Sequence, residues 1–258
     1  MGEGKILEIL DPSTIAFLLL AGFIAAFIDS TVGGGGLIST PALLALGLPV
    51  NFALGTNKLA ASMGGLMSVF SFWRAGKINQ KVAISLMPLS FLGSALGAYV
   101  VYLLPEQLMK NVIVVLLVAV AVYTYRRKDW GDVSAVKQLG LAALLGSVVM
   151  AFGIGFYDGF FGPGTGSFWT FAIVALIGLN LKKAVAHTKL LNFTSNIVAL
   201  GIFIAGGQML WAVGLLMAVG QILGAYFGSN LVIKKEVKFI RTMFLVVVAV
   251  TICKLIFD

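Results

Sequence analysis

Asp29-Ser30-Thr31-Val32-Gly33-Gly34-Gly35-Gly36 is the stretch on which the architecture turns. It closes one apolar run, 14–32, and opens a second, 37–48, that is too short to cross a bilayer untilted. The same arrangement returns 129 residues later, where Asp158 precedes Gly162-Pro163-Gly164-Thr165-Gly166 and the short apolar run 167–179. After a drift of two residues the correspondence continues. Gly47-Leu48 matches Gly178-Leu179, Thr56-Asn57-Lys58-Leu59 matches His187-Thr188-Lys189-Leu190, and Gly93-x-x-x-Gly97 matches Gly224-x-x-x-Gly228. Five landmarks in one order, with almost no gaps, mark an internal duplication.

Outward from these breaks, apolar stretches fill 52–73, 82–104, 108–125, 139–161, 184–205, 209–233 and 239–257. Several approach the roughly 20 residues that cross a bilayer as helix. Of the 258 residues, 60% are hydrophobic and 11% charged, and mean hydropathy is +1.04. A soluble domain averages about 25% charged residues, so the expected class is an all-α polytopic membrane protein with the lipid bilayer as its partner. The net charge of +8 does not indicate nucleic acid, because the basic residues lie in short loops rather than on one patch. A single cysteine, Cys253, excludes an internal disulfide and an all-cysteine metal site. Glu3, Glu8 and Asp11 stand against Lys5 at the N-terminus, unlike the basic start of a cleaved signal peptide, so the first apolar segment is expected to be retained.

Charge assigns sides. The loop after 52–73 holds Arg74, Lys77 and Lys81, whereas its counterpart at 205–211 holds no charge. The loop after 82–104 holds only Lys110 and Glu106, whereas its counterpart holds Lys234, Lys235, Lys238 and Arg241. Equivalent loops of opposite bias fall on opposite sides under the positive-inside rule. The expectation is two inverted-topology repeats, each a glycine-broken helical hairpin plus three transmembrane helices. They span residues 1–125 and 138–258, joined by a basic cytoplasmic linker at 126–137, as one membrane domain with both termini extracytoplasmic. Inverted repeats with broken helices are the build of many secondary transporters.

Within the apolar segments stand two acids, Asp29 and Asp158, and two bases, Lys58 and Lys189, and each couple is a pair of repeat-mates. Intramembrane charge costs on the order of 3 kcal/mol or more, so its presence in both halves points to use. The glycine loops 33–36 and 162–166 offer unpaired backbone N–H groups with the positive end of a helix dipole behind them, an anion site made without charge. Ser39, Thr40, Thr165, Ser167 and Thr170 add hydroxyls near the half-helix starts. The plainer reading is that the glycines only permit a tight break or close packing. Lys58 and Lys189 either reach such an anion or snorkel to the interface. Thr188, Lys189, Asn192, Ser195 and Asn196 share one helix face, which suits protein or water rather than lipid; Asn57, Lys58, Ala61, Gly64 and Gly65 form its counterpart. Asp29 and Asp158 are either structural, accepting from loop N–H groups or pairing with a lysine, or they carry a coupling proton. His187, the one histidine, divides between a hydrogen-bonded helix residue and a proton carrier. The Gly93/Gly97 and Gly224/Gly228 pairs read as helix packing.

An acid before a glycine loop, the Pro41-x-Leu43 half-helix after it, Gly55-Thr56-Asn57-Lys58, and repetition of this pattern past a basic linker resemble the sulfite exporter TauE/SafE family over essentially the whole chain. The resemblance implies a multi-pass transporter of sulfite, or of a small sulfur-containing or organic anion, in the prokaryotic cytoplasmic (inner) membrane. Loops 33–36 and 162–166 match the two family loops, and the second half departs in carrying Pro163 and His187.

The expected function is export of a small anion, sulfite first, by a secondary transporter using alternating access. The anion would bind near the midplane between Gly33, Gly34, Gly35, Gly36, Asn57, Lys58, Gly162, Gly164, Thr165, Gly166, Thr188, Lys189 and Asn192. No cofactor, metal or catalytic residue is expected. No nucleotide-binding motif occurs, so the driving force is an ion gradient, proton or sodium, or the substrate gradient itself. A passive anion channel is the near rival, marked by fluxes too fast for a conformational cycle. A membrane-embedded enzyme is the distant one, marked by a product. Direction and assembly, a homo-oligomer included, stay open.

Overall fold

A computed structural model describes residues 11–105, 107–109, 112, 115 and 141–235. The linker 126–137, Cys253, the stretch 239–257 and most of 108–125 lie outside the described residues. Every regular element among the described residues is helical. In chain order these are α1 (Pro12–Val32), α2 (Gly36–Ala45), α3 (Val50–Arg74), α4 (Gln80–Leu103), α5 (Leu141–Phe160), α6 (Thr165–Ala172, prolonged by a π-helical turn Ile173–Ile177), α7 (Leu181–Ala205) and α8 (Trp211–Lys234).

Local chemistry explains the starts. Asp11 accepts from Thr14 N at 2.6 Å with Pro12 in the first turn, and Asn180 accepts from Lys183 N at 3.0 Å. Asn51 lies inside α3; the residue before the helix is Pro49, whose restricted φ of −53° leads the chain into Val50. Among the described residues four helices, α1, α4, α7 and α8, are long and apolar enough to cross a membrane by length and composition. α3 equals α7 in length, at 25 residues, and like it carries a polar set along the helix, here Asn51, Thr56, Asn57, Lys58, Ser62 and Ser68.

Helices pack across the duplication more than within it. α1 lies along α8, α5 lies along α4, and α3 meets α7. The small-residue pairs account for this. Gly93 and Gly97 of α4 press on the carbonyls of Phe152 and Phe156 in α5, and Gly224 and Gly228 of α8 press on those of Phe23 and Phe27 in α1. A β-carbon at any of the four positions would collide with backbone, so the packing reading of these glycines holds. Two cores follow the same exchange. One joins α1, α2 and α3 to α8 through Leu18, Leu43, Ala60 and Met217; the other joins α5, α6 and α7 to α4 through Ala151, Trp169, Leu191 and Leu86. Large apolar side chains such as Leu20, Ile84, Val149 and Phe227 point outward, as a lipid-facing surface requires.

Candidate functional site

α1 ends where Gly33 (φ 82°) and Gly34 (φ 95°) adopt backbone torsions that a β-carbon resists, and α5 ends the same way before Gly162 (φ 97°) and Gly164 (φ 84°). The first loop doubles back on its own helix, and Gly35 N donates to Asp29 Oδ1 at 3.2 Å. Gly35 has an ordinary φ of −54°, so glycine is needed there for space: a β-carbon would stand 2.6 Å from that of Asp29. The two loops also touch each other, Gly33 against the backbone of Gly166 and Ser167, and Gly36 against Pro163. Close packing of glycines thus brings the starts of α2 and α6 to one place.

Lys58 and Lys189 meet there, and neither snorkels, because their side chains are 2% and 1% exposed. Lys58 Nζ donates to Asp158 Oδ1 and to Asn196 Oδ1, each at 2.9 Å, and to the Asp158 carbonyl. Lys189 Nζ donates to Asp29 Oδ2 at 2.7 Å. Each lysine therefore pairs with the acid of the other half, α3 with α5 and α7 with α1. The pairing keeps either charge from being buried alone, which would cost several kcal/mol. Asp29 performs both structural roles expected of the acids, holding a loop N–H and a lysine. The pairs differ in surroundings: the Asp158 side chain is 3% exposed and also accepts from Ser195 Oγ, whereas that of Asp29 is 30% exposed.

A cavity of about 50 Å³ lies between the pairs, room for about four water molecules or one small oxyanion. Asp29, Gly34, Gly35 and Gly36 from the first half line it, as do Asp158, Gly162, Gly164 and Gly166 from the second. Lys58, Lys189, Asn57 and Asn192 also line it. Three expected residues do not. Gly33 packs on the second loop, the Thr165 hydroxyl turns back to the Gly162 carbonyl, and the Thr188 hydroxyl bonds that of Thr170 at 3.0 Å. Ser30, Ser39, Asn196 and Gln221 join the lining. Gln221 carries no sequence signal beyond being the one glutamine of apolar α8. Asn57 and Asn192 are 5% and 8% exposed, yet the side-chain oxygen of each has no hydrogen-bond partner. An unpaired buried polar group costs about 1–3 kcal/mol, so two such amides at one cavity point to a ligand. Rotation of either amide would present its N–H₂ instead.

His187 lies outside the cavity lining. Its Nε2 accepts from Asn79 N at 2.9 Å, and its Nδ1 lies 2.7 Å from the Lys183 carbonyl, which places the proton on Nδ1. Its repeat-mate does the equivalent work: Thr56 Oγ1 accepts from Leu210 N at 3.0 Å, and Asn79 and Leu210 are the residues that precede α4 and α8. Both ring nitrogens of His187 are thus engaged by backbone.

A family model described as Sulfite exporter TauE/SafE matches residues 18–255. The chain belongs to that family. A "Probable membrane transporter protein" of Haemophilus influenzae is 42% identical over 244 residues, 95% of each chain. "Probable membrane transporter protein YfcA" of Escherichia coli K12 is 40% identical over 255 residues, 98% of this chain and 93% of the other. A Sinorhizobium relative, "Probable membrane transporter protein ORF9", is 41% identical over 95% of this chain and 93% of its own. No solved structure matches the chain. This TauE/SafE protein is a membrane transporter, and the names of its relatives indicate transport rather than enzymatic chemistry.

Proposed function

We propose that this TauE/SafE transporter exports a small anion across the inner membrane, sulfite or a related sulfur-containing or organic anion, by alternating access between two inverted-topology repeats. The observation that carries the reading is one cavity onto which two helix starts, two lysines and two buried amides with unpaired oxygens converge. Backbone N–H groups at the starts of α2 and α6 supply the positive ends of two helix dipoles. Lys58 and Lys189 supply compact cationic donors, and Asn57 and Asn192 supply neutral ones. The acids cancel the lysines, so the site is organised before the anion arrives and attracts it through dipoles rather than net charge. A cavity of about 50 Å³ suits a small oxyanion better than a bulky organic one.

The inverted-repeat reading is supported by the exchange of partners between halves: α1 with α8 against α5 with α4, and Lys58–Asp158 against Lys189–Asp29. Both ion pairs and both loops bridge the halves, so rocking one half against the other would remodel the cavity and open it to alternate sides. Reconstitution into liposomes loaded with sulfite, with sulfate, phosphate and chloride as competitors, tests this. Saturable sulfite flux that a subset of anions inhibits is the expected result. Absence of flux for all four anions would sink the reading, and flux that never saturates would mark a channel.

A further inference from the structure

We infer that Asp29 is the coupling group: a proton taken up by its carboxylate frees Lys189 to hold the anion, and anion and proton cross together. This rests on the anion reading above. Its basis is the difference between two pairs that the repeat makes formally equivalent. Lys58 is held by three acceptors, and Asp158 accepts from Ser195 in a side chain that is 3% exposed. Lys189 has one acceptor among the described residues, Asp29 Oδ2, and the Asp29 side chain is 30% exposed while lining the cavity. A proton and an anion reach the second pair without dismantling the first.

The charged groups around Asp29 are few. α7 presents Lys189, α3 presents Lys58, and α5 presents Asp158, which already holds Lys58. Nothing charged lines the cavity from α2, α6 or α8, where the contribution of α8 is the neutral Gln221. Two lysines and two acids leave the site neutral, so a monoanion entering alone would leave a net negative charge at membrane depth. A proton on Asp29 restores neutrality. The proton comes from the aqueous side to a carboxylate oxygen, and the Lys189 N–H turns from that oxygen to the anion. On release the anion and the proton leave, and Lys189 pairs again with the carboxylate. Both loaded and unloaded forms then move no net charge through the membrane. His187 cannot take this role, since it lies outside the cavity lining and its ring nitrogens are engaged by backbone.

The test uses the full chain in proteoliposomes with radiolabelled sulfite at mildly acid pH, where the monoanion predominates. In Asp29→Asn the loaded carrier remains neutral but the unloaded one carries an unpaired lysine. Net efflux should therefore fall at least about tenfold further than sulfite–sulfite exchange does. Net efflux equal to the parent, or joint loss of exchange and net efflux with an unchanged thermal transition, overturns the inference. The parent chain gives a second readout that does not depend on a variant folding: net sulfite efflux should be indifferent to an imposed membrane potential, and movement of one negative charge per monoanion overturns the inference. No sulfite flux at all in the parent chain overturns the anion reading, and this inference with it. Coupling that survives in Asp29→Asn overturns this inference alone.

Discussion

Lys58 and Lys189 occupy matching places in α3 and α7, yet substitution should separate them. Lys58→Ala strands Asp158 in a nearly sealed pocket, and breaking a buried pair from one side costs about 3–5 kcal/mol. Lys189→Ala leaves Asp29 half-open to the cavity, so the stability loss should be smaller and the main effect an affinity lower by roughly 5- to 150-fold. Thermal unfolding alongside anion titration of the purified variants checks this, and equal melting losses would contradict the distinction. At His187 the forecast comes from its repeat-mate. His187→Ala removes the acceptor of Asn79 N and should destabilise by about 1–3 kcal/mol. His187→Thr, which installs the residue type used by the other half, should recover part of that loss with transport retained. A pH-driven flux that disappears in a well-folded His187→Thr would speak for a proton carrier instead. The acids and lysines of the pairs were legible in the sequence as charges that the membrane would not tolerate idly. Their crossing from one half to the other was not, because helix periodicity gives the face on which Lys58 lies and says nothing of which helix covers it.

Among the elements, the glycine loops were the most legible and the reason for each glycine the least. Repetition of an acid, a glycine run and a short apolar segment located both breaks, and the boundaries of α7 differ from the apolar run 184–205 only by the turn that Asn180 caps. Composition alone made Gly33 to Gly36 look equivalent. The backbone divides them: Gly34 supplies a torsion, Gly33 both a torsion and a close approach to the second loop, and Gly35 and Gly36 proximity. Gly35→Val should therefore push the loop off α1, break the Gly35 N–H bond to Asp29 and abolish anion binding, with damage exceeding that of either lysine variant. Gly164→Val combines bulk with a φ of 84° and should be at least as severe. Titration of the folded fraction decides the matter; binding within a few-fold of the parent in both would remove the loops from the site. Gln221 was not legible in the sequence, because an amide in an apolar helix has no period from which to infer its direction.

For the whole molecule, the charge bias of the loops predicts that residues 126–137 are cytoplasmic. In a Cys253→Ser background, single cysteines placed there should resist a membrane-impermeant thiol reagent in intact cells, while one at residue 207 should react. The reverse pattern would overturn the orientation. The exchange of helix partners has a consequence for how the chain is made. When α1 to α4 have left the ribosome, α1 still lacks α8, α4 still lacks α5, and Lys58 has been placed in the bilayer with its acid not yet synthesised. The first half must wait in the membrane, its glycine-lined grooves facing lipid, until translation delivers the complement. Neither half is then a self-sufficient folding unit: expressed alone, residues 1–125 or 138–258 should be degraded, whereas the two expressed together from separate messages should rescue each other.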